Sequence, residues 1–359
     1  MNPFLFSAQF PRVVFGAGSL QHLEREIDLL GAKRALVLST PEQRGQAEDI
    51  AKRLGARAAG VYDKAVMHVP IETARAARQE AKRLNADCAV AIGGGSTIGL
   101  GKAIALESSL PILAIPTTYA GSEMTPILGM TENGIKKTQR DNRVLPKTII
   151  YDPQLTLTLP VKLSATSGMN AIAHSVEALY AQDANPIISL MAEESIRVLA
   201  DALPKVVRDP SDLDARGEAL YGAWLAGASL GAVGMALHHK LCHTLGGSFN
   251  LPHAETHTIV LPHAVAYNTM AAEQAVVRVA KALGLSASLD AAPGLYDLAK
   301  SIGAPLALKD IGMRESDLDK AAEIATQNPY YNPRSVELAP IRKLLDDAYF
   351  GRRPDGAKR

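Results

Sequence analysis

Between residues 34 and 118, short β-branched runs alternate with amphipathic helical ones: RALVLST (34–40), EQRGQAEDIAKRLG, RAAGVYD, IETARAARQEAKRL, DCAVAIGGGS and LPILAIPTT. Strands separated by helices pair side by side in a parallel sheet, because each helix serves as a crossover. The near-continuous apolar character of CAVAI and ILAI predicts strands buried on both faces. After TIIYDPQLTLTLP (148–160) the β signal stops. SATSGMNAIAHSVEALYAQ, ISLMAEESIRVLADALPKVV, LDARGEALYGAWLAGASLG, EQAVVRVAKALG and SLDAAPGLYDLAKSIG space apolar residues three or four apart, the period of a helix with one buried stripe. Pro153 and Pro160 punctuate the change. The expected architecture is an α/β parallel-sheet domain over residues 1–156 and an all-α domain over 157–359. A chain of 359 residues has room for two cores, since single ones stop growing near ~250–300 residues.

A formal charge of +1 leaves no bulk field to hold nucleic acid or an anionic membrane, so a small molecule is the expected partner. Cys88 and Cys242 make no disulfide framework, and the start MNPFLFSAQFPRVVFG lacks the regions of a signal peptide, which makes the cytoplasm the expected location. The longest apolar run, AWLAGASLGAVGMAL (223–237), falls short of the ~20 residues a bilayer helix needs and reads as a buried helix. Within it GASLG (227–231) matches the Gly-x-Ser-x-Gly nucleophile pattern, but it lies in a helical small-residue run rather than at a strand-to-helix elbow.

AIGGGSTIGLGKA (91–103) follows a buried strand and runs into a helix. Glycines there let backbone N–H groups at the helix start approach a pyrophosphate, and Ser96 and Thr97 add hydroxyl donors. Neither common motif fits: counting from Gly93, the sixth position of a Rossmann loop is Ile98, and a Walker A loop needs Ser or Thr where Ala103 follows Lys102. A second loop, IPTTYAGSEMTP (115–126), also follows a strand and offers Thr117, Thr118 and Ser122. Two such loops at the carboxyl ends of neighbouring strands predict a dinucleotide crevice. At the end of RALVLST, where a carboxylate would hold the adenosine ribose, the chain has Ser39 and Thr40 with Arg44 nearby, which leaves NADH and NADPH both open.

The stretch LHHKLCHTLGGSFNLPHAETHTIVLPH (237–263) holds six of the nine histidines. In SGMNAIAHSVEALYA, Asn170 and His174 are four apart and share a helix face; His239 with His243, and His253 with His257, repeat the spacing. A carboxylate at 170 would complete a one-Asp, three-His metal site, but Asn170 is neutral and a poor ligand.

GGGST, PTTYAGSE, GMNAIAHSVEA, the histidine stretch and the late NPYYNPR (328–334) together resemble the iron-containing alcohol dehydrogenase superfamily, and within it the maleylacetate reductase branch, over essentially the whole chain. The resemblance implies the dehydroquinate synthase-like arrangement of a nucleotide-binding α/β domain and a helical domain, an active site in the cleft between them, and a homodimer. It places the pyrophosphate on Gly94, Gly95 and Ser96, with Thr117, Thr118 and Ser122 near the nicotinamide half and Lys136 near the cofactor ribose. The metal ligands of relatives fall on Asn170, His174, His239 and His253, a set read here as vestigial, and His243 matches a position beside the nicotinamide.

The implied activity is NAD(P)H-dependent reduction of the maleylacetate carbon–carbon double bond to 3-oxoadipate, in the breakdown of aromatic compounds; a metal-dependent alcohol or polyol dehydrogenase is the alternative. Hydride addition β to a ketone leaves a delocalised enolate, which hydrogen-bond donors worth ~2.7–4 kcal/mol each can stabilise. No metal requirement is therefore expected. His243 and Lys240 are the expected catalytic pair, and Asn170, His174, His239, His253 and Arg334 the expected contacts of a small dicarboxylate.

Overall fold

The computed structural model describes Phe4, residues 6–132, 135–286 and 290–355, with the backbone alone at 135 and 136. It divides into two compact units, one of residues 9–159 and one of residues 160 onward together with those described before Gln9.

The first unit is built on six parallel strands: β1 (Arg12–Phe15), β2 (Ala35–Leu38), β3 (Ala58–Tyr62), β4 (Cys88–Gly93), β5 (Ile112–Pro116) and, later in the chain, β8 (Thr148–Tyr151). Their order is β1-β8-β5-β4-β2-β3. Every residue of β2, β4, β5 and β8 is buried, whereas the edge strands β1 and β3 are mixed. Between β5 and β8 a hairpin of β6 (Ile127–Glu132) and β7 (Ile135–Arg140) pairs antiparallel. Sequence reading passed over this hairpin and β1, although Asn133-Gly134 is a hairpin signal.

Alternate side chains of the sheet face opposite ways. Val37, Val90, Ile92, Leu113 and Ile115 pack with Leu23 and Ile27 of α1 (Leu23–Leu29) and with Ala47, Ile50 and Leu54 of α2 (Arg44–Leu54). Leu36, Leu38 and Ala89 pack with Ala77 and Ala81 of α3 (Ile71–Arg83) and Leu100 and Ile104 of α4 (Gly95–Ser108). The adjacent strands β2 and β4 thus feed helices on opposite faces, which opens a crevice at their carboxyl ends, the usual ligand position in such sheets.

The second unit is helical: α5 (Val161–Tyr180), α6 (Pro186–Arg208), α7 (Leu213–Ala232), α8 (Leu237–Phe249), α9 (His253–Asn268), α10 (Glu273–Ala282), α11 (Ala291–Ser301), α12 (Leu318–Thr326) and α13 (Leu338–Phe350). From Ser164 to Tyr180, α5 is buried throughout. It tolerates that because its neighbours approach closely: a Cβ on Gly168 would lie 2.3 Å from Leu203 of α6, and one on Gly222 of α7 would lie 2.6 Å from Leu199. The run 223–237, expected as one helix, is two; α7 and α8 meet at a break with a bend of 99°. No single helix among the described residues is long and apolar enough to cross a membrane. Ser229 lies buried inside α7 and donates to Leu225 O (2.8 Å), so GASLG forms no nucleophile elbow.

The second core packs α8, α9, α12 and α13 through Leu237, Leu241, Leu245, Val260, Leu318, Ile341 and Leu345. His263 of α9 is buried (5% exposed), and burial pushes its pKa from 6.5 to about 4, against the upward pull of Asp347. The unfolded chain therefore binds this proton where the folded one does not. Stability is expected to fall as pH drops from about 6.5 to about 4, by ~3 kcal/mol from this residue alone, and to be indifferent to it above that window. Urea midpoints measured across the window check this; His263→Gln should flatten the slope by about one proton, and an unchanged slope would remove His263 as the cause.

Candidate active site

In the α/β unit the glycine loop sits at the switch point. Gly93 ends β4 at φ 149°, a region that favours glycine, and a Cβ there would lie 2.6 Å from Thr97 Oγ1 and 2.8 Å from Gln43 Oε1. Gly94 caps α4, and the first helical bonds run from Thr97 and Ile98 N–H to Gly94 O (both 3.1 Å). The N–H groups of Gly95 and Ser96 precede that ladder and point off the helix start, where anions bind. Gly94 also brings the second loop close: a Cβ on it would meet Thr118 Cγ2 at 2.8 Å. Thr117 N–H donates to Gly93 O (3.1 Å), and Gln43 Nε2 donates to Thr117 Oγ1 (2.9 Å) across the crevice.

Three expected cofactor residues, Ser39, Thr97 and Ser122, carry buried hydroxyl oxygens with no hydrogen-bond partner. They lie on the segments that follow β2, β4 and β5, so a polar ligand at this edge of the sheet would satisfy them. Arg44 is held by Glu48 (2.7 Å) and Asp63 (3.0 Å). Lys136 falls in β7, and its side chain lies outside the described residues.

Lys102, ruled out as a Walker lysine by the following Ala103, turns into the interior. Its ammonium donates to Ser122 O (2.6 Å), Thr125 O (2.8 Å), Thr125 Oγ1 (3.0 Å) and Ile127 O (2.9 Å). Four oxygens compensate a buried cation and pin the second loop to α4. Burial pushes this lysine down to about 7, and Glu123, whose carboxylate accepts from Tyr151 OH (2.7 Å), works the other way.

Gly93→Ala is expected to weaken cofactor binding about tenfold or more and to cost ~1–3 kcal/mol of stability, since both the backbone angle and the two polar neighbours oppose a Cβ. Titration of NADH fluorescence and a denaturant curve read both effects. Unchanged affinity would take the loop out of the cofactor site.

In the helical unit the histidines converge from three helices. Asn170, His174 and Glu177 lie at i, i+4 and i+7 on the buried α5. Helix α8 brings His238, His239, Lys240 and His243; the chain then turns through Asn250 (φ 54°) and Pro252 into α9, which brings His253 and His257. The His174 and His239 rings stack with centroids 5.2 Å apart, and His257 lies 5.0 Å from His239 and 4.3 Å from His253.

Glu177, unforeseen in the sequence, organises this cluster. Fully buried, it faces His239 Nδ1 at 2.6 Å and accepts from Ala236 N–H (2.8 Å) at the start of α8. The carboxylate makes Nδ1 the bonded nitrogen, so His239 presents Nε2, which has no hydrogen-bond partner. His174 Nδ1 and His257 Nε2 are likewise buried and unpartnered. Burial, reinforced by the neighbouring imidazoles, holds His174, His238 and His257 well below the usual histidine range, so these three are neutral.

His174, His239 and His257 offer nitrogens within 4.8 Å of one another, and His238, Cys242 and His257 form a second such group. Neutral imidazoles, one of them oriented by a carboxylate, suit a divalent ion such as zinc or ferrous iron. The expectation that no metal is required thus lacks support, and His257 joins the cluster where sequence matching had placed His253 alone.

Near the cluster, His243 Nδ1 meets Tyr330 OH at 3.1 Å, and Lys240 lies over the Tyr330 ring at 5.8 Å. Burial lowers the Lys240 pKa. Arg334, expected at a substrate carboxylate, lays its guanidinium over the Tyr267 ring (4.1 Å) and donates to Tyr267 O (3.2 Å).

A glycine cradle at a sheet switch point, carried in one chain with a helical cluster of metal-type histidines, has the make-up of a nucleotide-binding enzyme. Sequence models place it further: one for iron-containing alcohol dehydrogenase matches residues 11–153, and one for the C-terminal part of the Fe-containing alcohol dehydrogenase family matches residues 164–349. The chain belongs to the iron-containing alcohol dehydrogenase family. It is 64% identical to a maleylacetate reductase of Burkholderia cepacia, covering 99% of this chain and 100% of that one, and 57% identical to one of Sphingobium indicum, covering 96% of each. The solved structure of maleylacetate reductase from Agrobacterium tumefaciens is similar at 54% identity and a TM-score of 0.93, covering 99% of this chain and all of that one.

Proposed function

We propose that the chain reduces the carbon–carbon double bond of maleylacetate to give 3-oxoadipate at the expense of NADH or NADPH. The observation that carries this reading is the full-length kinship with maleylacetate reductases. The reduced nicotinamide, when bound, supplies a hydride to the alkene carbon β to the ketone. The electron pair of the double bond moves onto the ketone oxygen as an enolate, and a proton then completes the carbon α to the ketone.

The protein has to stabilise that oxygen and deliver that proton. Lys240 is a cation at a partly desolvated position, suited to the enolate or a substrate carboxylate. His243 is the proposed proton donor, since an imidazolium gives up its proton near neutral pH. Asn170, His174, His239 and His253 are the proposed contacts of the dicarboxylate, with Asn170 contributing a neutral amide donor. Gly94, Gly95 and Ser96 hold the pyrophosphate, and Ser39, Thr97, Thr117, Thr118, Ser122 and Lys136 are the remaining cofactor contacts.

His174, His239 and His257 are the residues that would hold a divalent metal, which would supply a Lewis acid for an oxygen. That set also favours a second reading, a metal-dependent alcohol or polyol dehydrogenase. One assay separates them: loss of reduced-nicotinamide absorbance with maleylacetate, with and without chelator, and the reverse reaction with simple alcohols and diols. Oxidation of NADH or NADPH by maleylacetate is the expected result; none with either cofactor would sink the first reading. Turnover lost to chelator and restored by zinc or ferrous ion would assign the three histidines to turnover.

A further inference from the structure

We propose that Tyr330 is the positioning residue for His243, its hydroxyl oxygen accepting from Nδ1–H of the imidazolium so that the hydrogen for transfer is the one on Nε2 and the neutral Nδ1–H ring is left behind. This rests on the reading of His243 as proton donor. Tyr330 belongs to NPYYNPR, the late segment from which the sequence offered only Arg334 as a functional residue. In the structure that segment is a strap fastened to the end of α9 at several points. Asn268 and Asn332 exchange reciprocal amide bonds (2.9 and 2.7 Å), and Asn332 also donates to Arg334 O (2.7 Å). Tyr267 OH donates to Ser335 O (2.6 Å), and Arg334 covers the Tyr267 ring.

These fastenings explain Arg334 without a substrate: it clamps the strap. They also explain why a loop tyrosine can hold one position. Reciprocal amides at Asn332 and a stacked guanidinium at Arg334 fix the strap just after Tyr330, and the turn before it passes through Asn328 at φ 48°. At the far end the Tyr330 hydroxyl lies 3.1 Å from His243 Nδ1, and its ring lies under the Lys240 ammonium. One side chain thus orients both groups of the proposed chemistry. A phenol hydroxyl both donates and accepts; as acceptor from Nδ1–H it holds the ring so that Nε2–H is the hydrogen given up and the Nδ1–H tautomer remains.

Tyr330→Phe keeps the ring against Lys240 and removes only the hydroxyl. In the otherwise intact protein it is expected to lower kcat for maleylacetate about five- to tenfold, with KM for NADH and the thermal midpoint unchanged. In a His243→Gln background the same change is expected to cost less than about twofold, because its target is gone. Equal losses in both backgrounds would show Tyr330 acting independently of His243 and overturn the proposal. So would a kcat of Tyr330→Phe within about twofold of the parent. Near-normal turnover of His243→Gln alone would overturn the proton-donor reading, and the positioning role with it.

Discussion

Replacing His243 by alanine is expected to lower turnover with maleylacetate ~10²–10⁴-fold, the usual worth of a positioned acid or base, while leaving NADH affinity nearly unchanged. The fold should survive, because His243 is half-buried on α8 and its neighbours Leu241, Cys242 and Leu245 carry the packing on that helix. Its partner Tyr330 stays fastened through Asn332, bonded to Asn268, and Arg334, stacked on Tyr267. Single-turnover kinetics are the decisive measurement, since they read the chemical step without product release. Turnover within about threefold of the parent would remove His243 from the chemistry and move the proton to Lys240 or to water. Lys240→Met should then carry the larger loss.

The second large effect concerns stability. Glu177→Ala is expected to cost ~3–5 kcal/mol, because it strips partners from a buried imidazole and a buried backbone N–H at once. The N–H groups of Ala236 and His239 at the start of α8 would lose the carboxylate that accepts from them. Glu177→Gln should cost less, since its amide oxygen can accept from both His239 Nδ1–H and Ala236 N–H, which share one carboxylate oxygen, and its NH₂ group opposes only the longer bond from His239 N–H (3.3 Å). Chemical denaturation reads both, and a midpoint shift below about 1 kcal/mol for alanine would contradict the role given to this carboxylate. A second measurement separates fold from site. If His174, His239 and His257 hold zinc, Glu177→Gln should weaken its binding ~10–100-fold through loss of His239 orientation, whereas a purely structural carboxylate would leave affinity alone.

The parallel sheet was legible because interior strands such as CAVAIG and ILAIP are apolar at every position. The glycine cradle was legible too, since its use depends on missing side chains in one short stretch. Edge strand β1, with its mixed RVVF burial, gave no comparable contrast. The break between α7 and α8 escaped because the 223–237 run is apolar on both sides of it, and hydropathy carries no bend. Within the site, Asn170, His174, His239 and His253 announced themselves by four-residue spacing. Glu177 had the same kind of signal, three residues after His174 on one face, but a lone carboxylate in a helix is ordinarily a solvent-facing charge.

Lys102 and Tyr330 lay beyond sequence reasoning for a different reason. Nothing near Lys102 says that its ammonium ends among Ser122, Thr125 and Ile127, and Tyr330 stands 87 residues from the histidine it meets. By itself the sequence determined the periodic elements, the glycine loop after β4 and the histidine inventory, because those follow from residue type and local spacing. Only the tertiary structure decided which carboxylate orients His239, that His257 joins the cluster, and that the NPYYNPR strap presents its tyrosine rather than its arginine to His243. Local spacing fixes which residues share one helix face; which faces meet is set by packing between elements far apart in the chain.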